Sequence, residues 1–144
     1  MSNREEIVKN IVSTLAAATV AGGYNNTLSG RVGRKLKHWE ECGDFPQLFV
    51  VAGAERKEYG NNIMVECALD IVIRAYEHDG EDPGEKLNNL LADVEKALCV
   101  DHTRGGYAVN TTPVSVETDE GWLTPHGVAE FRWEIFYRYQ YGAP

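Results

Sequence analysis

Apolar residues recur along the chain with two different periods, and each period predicts a type of element. The first run has helical spacing and begins behind Ser2 and Glu5, whose Ser-x-x-Glu spacing is that of a capping box. The run stops at Gly22 and Gly23, a pair typical of a helix C-terminus. We therefore predict a first amphipathic helix over about residues 3–21.

A second helix is predicted after an acidic loop at residues 77–81. Asp82 is suited to the N-cap, Pro83 to the first helical position and Glu85 to the capping box. An apolar stripe at helical spacing follows and comprises Leu87, Leu90, Leu91, Val94, Ala97 and Leu98. A single stripe indicates that one face of this helix packs on a core.

A strict alternation of apolar and polar residues covers residues 65–75 and predicts a half-buried strand. Cys67 lies on its apolar face and Asp70 on its polar face. A short apolar run at residues 47–52 comes before it, and a polar loop at 53–61 separates the two. Two strands around a short loop favour an antiparallel hairpin.

Two further strands are predicted at residues 107–118 and 128–139. Pro113 in the first of them indicates an edge strand or a bulge. In the second, the aromatic residues share one face with Ile135 and the charged residues share the other. Base-stacking surfaces mix aromatic and basic residues on one face, so this segregation predicts core. Phe136 breaks the pattern, because it lies on the charged face, and is a candidate subunit contact.

Residues 24–46 fit neither period clearly, and Gly30 and Gly33 argue against a stable helix there. We predict an extended basic arm or a long hairpin strand at about residues 24–40.

The resulting element order is α-β-β-β-α-β-β, which predicts one α+β domain over residues 1–144. Neighbouring strands in the chain favour hairpins, so we expect a mixed or antiparallel sheet of about five strands. Both amphipathic helices are expected to pack on one face of this sheet.

The sequence offers no recognisable catalytic or cofactor motif. Cys99 and His102 have the spacing of a zinc pair, as do His38 and Cys42, but neither pair is doubled as a structural zinc site requires. The acidic loop lacks the alternating oxygen ligands of an EF-hand, and no phosphate-binding loop or nucleophile elbow is present. We therefore predict no catalytic residue, no metal and no cofactor.

The charge of the chain limits the classes of partner that are expected. The formal net charge is −8, and residues 61–144 account for it with 15 acidic against 6 basic residues. An acidic chain disfavours nonspecific binding to duplex DNA. No apolar run approaches the ~20 residues that span a bilayer, so no membrane partner is expected.

Two charged patches are candidate interfaces. The basic patch lies on the predicted arm and comprises Arg31, Arg34, Lys35 and Lys37. The acidic patch lies at the loop before the second helix and comprises Glu77, Asp79, Glu81 and Asp82. Opposite patches on separate elements suit head-to-tail association, which closes into a ring when the rotation allows. A solvated hairpin would explain the basic residues equally well.

Several segments resemble the tail terminator, or tail completion, proteins of long-tailed bacteriophages. The segments are REEIVKNIVSTLAA, DFPQLFVVAGAE, ECALDIVIRAYEHDGEDPGEKLNNLLADVEKAL, NTTPVSVETDEGW and GVAEFRWEIFYRYQY. Together they cover most of the chain. What they share with the family is a pattern of strand, acidic loop, helix and two strands, and not a catalytic signature.

The resemblance implies a structural virion protein of the tail and neck with an α+β fold and no enzyme activity. Such proteins form a hexameric ring at the head-proximal end of the tail tube, end tube polymerisation and dock to the head connector. Their sheets line a channel through which DNA passes without specific binding, and assembly takes place in the host cytoplasm. The alternatives are another neck component such as a head–tail adaptor, a small nucleic-acid-binding module that uses the basic arm, or an enzyme with an unrecognised site.

Overall fold

A computed structural model describes residues 1–60 and 63–144 as two helices and a five-stranded sheet. The elements are α1 (Asn3–Ala16), β1 (Val32–Gly33), β2 (Gln47–Tyr59), β3 (Met64–His78), α2 (Pro83–Leu98), β4 (Asn110–Thr118) and β5 (His126–Gln140), with a 3-10 turn at Trp39–Glu41. The predicted α+β class and element order are confirmed. No helix within the described residues is long and apolar enough to cross a membrane.

The strands lie in the order β1-β2-β3-β5-β4. β1 runs parallel to β2 and the other pairs are antiparallel, so the sheet is mixed. The β3–β5 pairing extends from Met64 opposite Gln140 to His78 opposite His126. Both helices cover one face, where their apolar stripes pack on alternate residues of β3 and β5. The opposite face is called the uncovered face below.

The predicted N-cap residues are confirmed. Ser2 accepts a hydrogen bond from the Glu5 amide at 3.1 Å, and Asp82 does the same for the Glu85 amide at 3.1 Å. Helix α1 nevertheless ends at Ala16 instead of near residue 21. The chain turns back there, because the Leu28 amide donates to the Ala18 carbonyl at 3.0 Å.

The predicted polar loop at 53–61 is wrong for most of its length. Strand β2 continues to Tyr59, and residue 61 lies outside the described residues. Gly53 and Ala54 form a bulge, since Ala52 pairs with Ile71 and Glu55 already pairs with Leu69. Because two residues of β2 stand against one of β3, the residues after the bulge point to the opposite face from the one that strict alternation assigns to them.

The segment at 24–40 contains only the two-residue strand β1, and a long hairpin strand does not form. Gly30 has a φ of 74°, in the left-handed region, and interrupts the extended backbone just before β1. Val32 then pairs with Leu48 in parallel orientation. A hairpin joins antiparallel strands, so this segment reaches β2 by a longer connection.

Strand β4 is an edge strand, and its register to β5 shifts between Pro113 and Ser115. This confirms the edge or bulge that Pro113 indicated. The covered face of β5 carries buried Phe131, Trp133 and Tyr137, as the alternation predicted.

Candidate assembly surface

The basic segment around β1 is fixed to the rest of the fold by two of its own arginines. Arg34 forms two hydrogen bonds with the Glu5 carboxylate, at 2.5 and 2.9 Å. The same contact lowers the pKa of Glu5 and raises the pKa of Arg34. Arg31 lies 3.7 Å from Asp44. Both arginines therefore pair within the subunit, and their guanidinium groups are less available for contact with a partner.

Lys35 and Lys37 are exposed cations of this segment, as is Arg34 despite its pairing with Glu5. Within residues 1–60 and 63–144 neither ammonium group forms a salt bridge. The backbone at Lys37 is nevertheless held in place, because the Tyr76 hydroxyl donates to the Lys37 carbonyl at 2.6 Å. These two lysines form a cationic surface, called the lysine pair below.

The beginning of the basic segment is hydrogen-bonded to helix α2. Asp93 is buried, and its carboxylate accepts hydrogen bonds from the amides of Asn25 and Asn26 at 2.8 and 2.9 Å and from the Asn26 side chain at 2.9 Å. Lys96 donates to the Gly23 carbonyl at 2.8 Å. Buried carboxylates need such partners, so these bonds fix where the segment starts.

The acidic patch is smaller than the sequence indicated. Glu77 is only 4% exposed, because β3 extends through it to His78, and burial raises the pKa of its carboxyl group. Asp82 is occupied as the N-cap of α2. Burial of Glu77 and the capping role of Asp82 are therefore contacts within the subunit itself.

Asp79 and Glu81 remain at the surface of this loop. Asp79 accepts a hydrogen bond from the Glu81 amide at 3.0 Å and lies 3.6 Å from the Lys86 ammonium. These contacts, the amide first, lower the pKa of Asp79. Glu81 is exposed. The loop thus keeps a local negative charge with one firmly ionised carboxylate.

Phe136 lies where the pattern placed it, on the uncovered face with 39% of its surface exposed. Its register partners are Ala68 on β3 and Asn110 on β4. Two shallow hollows of about 340 and 310 Å³ flank the ring, with Glu66 at the wall of both. The ring is therefore an apolar projection between two polar-edged depressions.

The rest of the uncovered face carries cross-strand ion pairs that sequence reasoning missed. Arg74 bonds Glu130, which also accepts from Arg132 at 3.3 Å. Arg56 reaches Glu134 at 3.1 Å. The charged residues that alternate along β5 indicate a polar face. Which residues pair with them depends on the strand register, which the sequence does not supply.

A second missed cluster lies at the edge of the covered face. The Glu55 side chain is 7% exposed, and its carboxylate accepts from the Tyr137 hydroxyl. Arg4 and Lys57 approach the same carboxylate at 3.6 and 3.4 Å. Lys57 also donates to the Tyr139 hydroxyl at 2.8 Å. Glu55 lies in the predicted loop, and only the bulge turns it towards the core.

The zinc-like spacings do not converge into a ligand set. In the part of the chain that the structure describes, no group of three or more His, Cys, Asp or Glu side chains is placed to hold a metal ion. Cys42, Cys67 and Cys99 are free thiols there.

Together these features define an α+β protein with one sheet face packed by helices and the other left to ion pairs. Its exposed charges and its projecting Phe136 lie at the surface.

Comparison with known proteins identifies the family. The family described as Bacteriophage Tail Tube Terminator Protein matches residues 1–143, and the chain belongs to it. The tail tube terminator protein p142 of Escherichia phage T5 is 31% identical, over 81% of this chain and 79% of that protein. The resemblance inferred from the sequence is confirmed, and the protein is a structural component of the phage tail.

The fold also recurs in a solved particle. A chain in the virion of a native gene transfer agent particle superposes with a TM-score of 0.50, covering 90% of this chain and 92% of that one. The two are 10% identical, so what they share is the fold.

Proposed function

We propose that this protein forms a ring, a hexamer, at the head-proximal end of the tail tube. There it ends tube polymerisation and provides the docking surface for the head connector. The observation that carries this proposal is the family match over residues 1–143. The role is structural and needs no catalytic group or cofactor, and assembly takes place in the host cytoplasm before the tail joins the head.

The acidic character of the subunit supports a channel through which DNA passes. With a net charge of −8, a ring of such subunits repels phosphate groups more than it binds them. DNA then moves through the ring without specific binding. The sheet is the element that lines the channel in this proposal.

Within the ring, the lysine pair of one subunit contacts an acidic surface of its neighbour, to which Asp79 and Glu81 contribute. The support is that Lys35 and Lys37 are exposed and that Lys37 is held through its backbone, while Asp79 and Glu81 remain at the surface. Arg31, Arg34, Glu77 and Asp82 support these surfaces from within the subunit. Phe136 contributes an apolar contact at the uncovered face.

The function is tested by adding the protein to its tail tube protein during polymerisation in vitro. We expect tubes that stop growing and carry an annulus at one end in negative-stain images, because the ring occupies the growing tip. Tubes of unchanged length with bare ends would contradict termination. An annulus that binds the connector but not tubes would favour a head–tail adaptor.

Reversing the lysine pair is expected to weaken ring assembly. Like charges at a contact repel, so Lys35→Glu and Lys37→Glu should each shift the assembly midpoint to about tenfold higher protein concentration. Light scattering measures the shift, and circular dichroism checks that the fold is kept. Lys9→Glu, an exposed change on α1, serves as the matched control. Equal shifts for all three variants would show that net charge alone is responsible.

A further inference from the structure

The sheet ends in two edges that lack a strand partner among the described residues. One is the outer edge of β4. The other is the second half of β2, residues 55–59, because β1 pairs only with Leu48 and Phe49. Unpaired backbone amides and carbonyls at an edge are ready to pair with another strand.

Strand β4 is exposed on more than its edge. Val114 and Val116 are 60% and 44% exposed, and Pro113 and Thr118 are exposed as well. Soluble proteins usually protect such an edge with charges, prolines or bulges. Here Pro113 and the bulge protect the beginning of β4, and the residues that follow, 115–118, carry one charge, Glu117.

The strand directions decide how two copies can join. Strands β2, β3, β5 and β4 lie side by side, and each is antiparallel to the next. Four alternating strands leave β2 and β4 pointing in opposite directions. When two copies stand side by side in the same orientation, β4 of one therefore meets β2 of the other as an antiparallel pair.

We propose that residues 115–118 of β4 pair with residues 55–59 of β2 in a second copy of this chain, joining the sheets of neighbouring subunits. The inference rests on the ring proposed above and names the strands that hold it together. It uses edges that differ from each other, so the contact is heterologous and repeats around a ring.

Charge and face orientation select one register. Glu117 lies on the uncovered face opposite Glu130, and Arg56 lies on the same face opposite Ala68. Pairing Glu117 with Arg56 of the neighbour keeps each strand's uncovered face continuous. It also brings Glu117 to a cation that is shared with Glu134 of that cation's own subunit. In this register Ser115 stands opposite Glu58 of the neighbour.

The stagger of this register matches that of a closed barrel. Inside one subunit, register partners connect Glu117 on β4 to Glu130 on β5 and then to Arg74 on β3. Arg56 on β2 is instead the register partner of Ala68, which lies six residues from Arg74 along β3. Six residues at ~3.3 Å each amount to an offset of about 20 Å along the strand direction. This offset accumulates across four strands spaced ~4.8 Å apart. The resulting strand tilt is about 45°, at the upper end of the range in closed barrels.

Cysteine cross-linking tests the register directly. The variant carries Glu58→Cys and Ser115→Cys in a background with Cys42→Ser and Cys99→Ser, which leaves the buried Cys67. Mild oxidation of assembled protein is expected to give a ladder of covalent oligomers up to the closed ring. The two single-cysteine variants are the matched controls and should give no ladder. Rings in negative-stain images without a ladder would overturn the strand pairing and leave the ring itself standing.

A charge swap gives an independent readout. Glu117→Arg and Arg56→Glu are each expected to weaken association at least about tenfold, and the double variant is expected to restore it. Glu95→Arg, an exposed change on α2, controls for net charge. A double variant that associates no better than the singles would overturn the pairing. Failure of the wild-type chain to form rings alone or with tubes would overturn both the proposed function and this inference.

Discussion

Replacing Trp133 by alanine is expected to lower the free energy of unfolding by about 3–5 kcal/mol. Trp133 is 1% exposed on the covered face of β5, opposite Ile71 and beside Phe131, with ring centroids 4.9 Å apart. Truncation would remove the largest fully buried side chain and leave a cavity under the helices. At ~2–4 °C per kcal/mol, the melting temperature should fall by about 6–20 °C.

Phe136→Ala is the matched control for this prediction. Phe136 is on the same strand but on the uncovered face, so its truncation should change stability by less than about 1 kcal/mol. Urea denaturation of both variants measures the difference. Equal losses would contradict the assignment of the two faces of β5.

Replacing Asp93 by alanine is expected to cost about 2–4 kcal/mol, because hydrogen bonds to a buried charged group contribute more than neutral ones. The change would leave the amides of Asn25 and Asn26 without their acceptor. The loss should be accompanied by faster hydrogen exchange in residues 24–28, since the anchor of the basic segment is removed.

Two further variants sharpen this test. Asp93→Asn keeps the volume but offers one oxygen instead of two, so an intermediate loss is expected. Glu95→Ala, two residues along the same helix and exposed, should stay within about 0.5 kcal/mol of the wild type. Normal exchange at residues 24–28 in Asp93→Ala would show that the segment is held by other contacts.

The features that local chemistry determines were predictable from the sequence. Ser2 and Asp82 cap their helices because a side-chain oxygen meets an amide three residues on, a relation confined to one turn. The buried and exposed faces of β5 follow from alternation alone, and Phe136 was recognised as its exception.

Features that depend on distant parts of the chain could not be predicted in the same way. The bulge at Gly53 and Ala54 exists only relative to β3, and it reverses the faces of the residues after it. Glu77 looked like a surface charge because nothing local shows that β3 reaches beyond it. The ion pair between Arg56 and Glu134 joins residues 78 apart in the chain. Register decides all three, and register is a property of the assembled sheet.

The strand order also affects when the subunit can fold. β5 is synthesised after β4 yet lies between β3 and β4 in the sheet. Until β5 emerges from the ribosome, β3 lacks the strand that pairs along its whole length and β4 has nothing to pair with inside the subunit. Long-range pairing of this kind is slow to form. A nascent chain therefore cannot present an ordered β4 edge to its neighbours, so chain order delays association until the sheet of each subunit is finished.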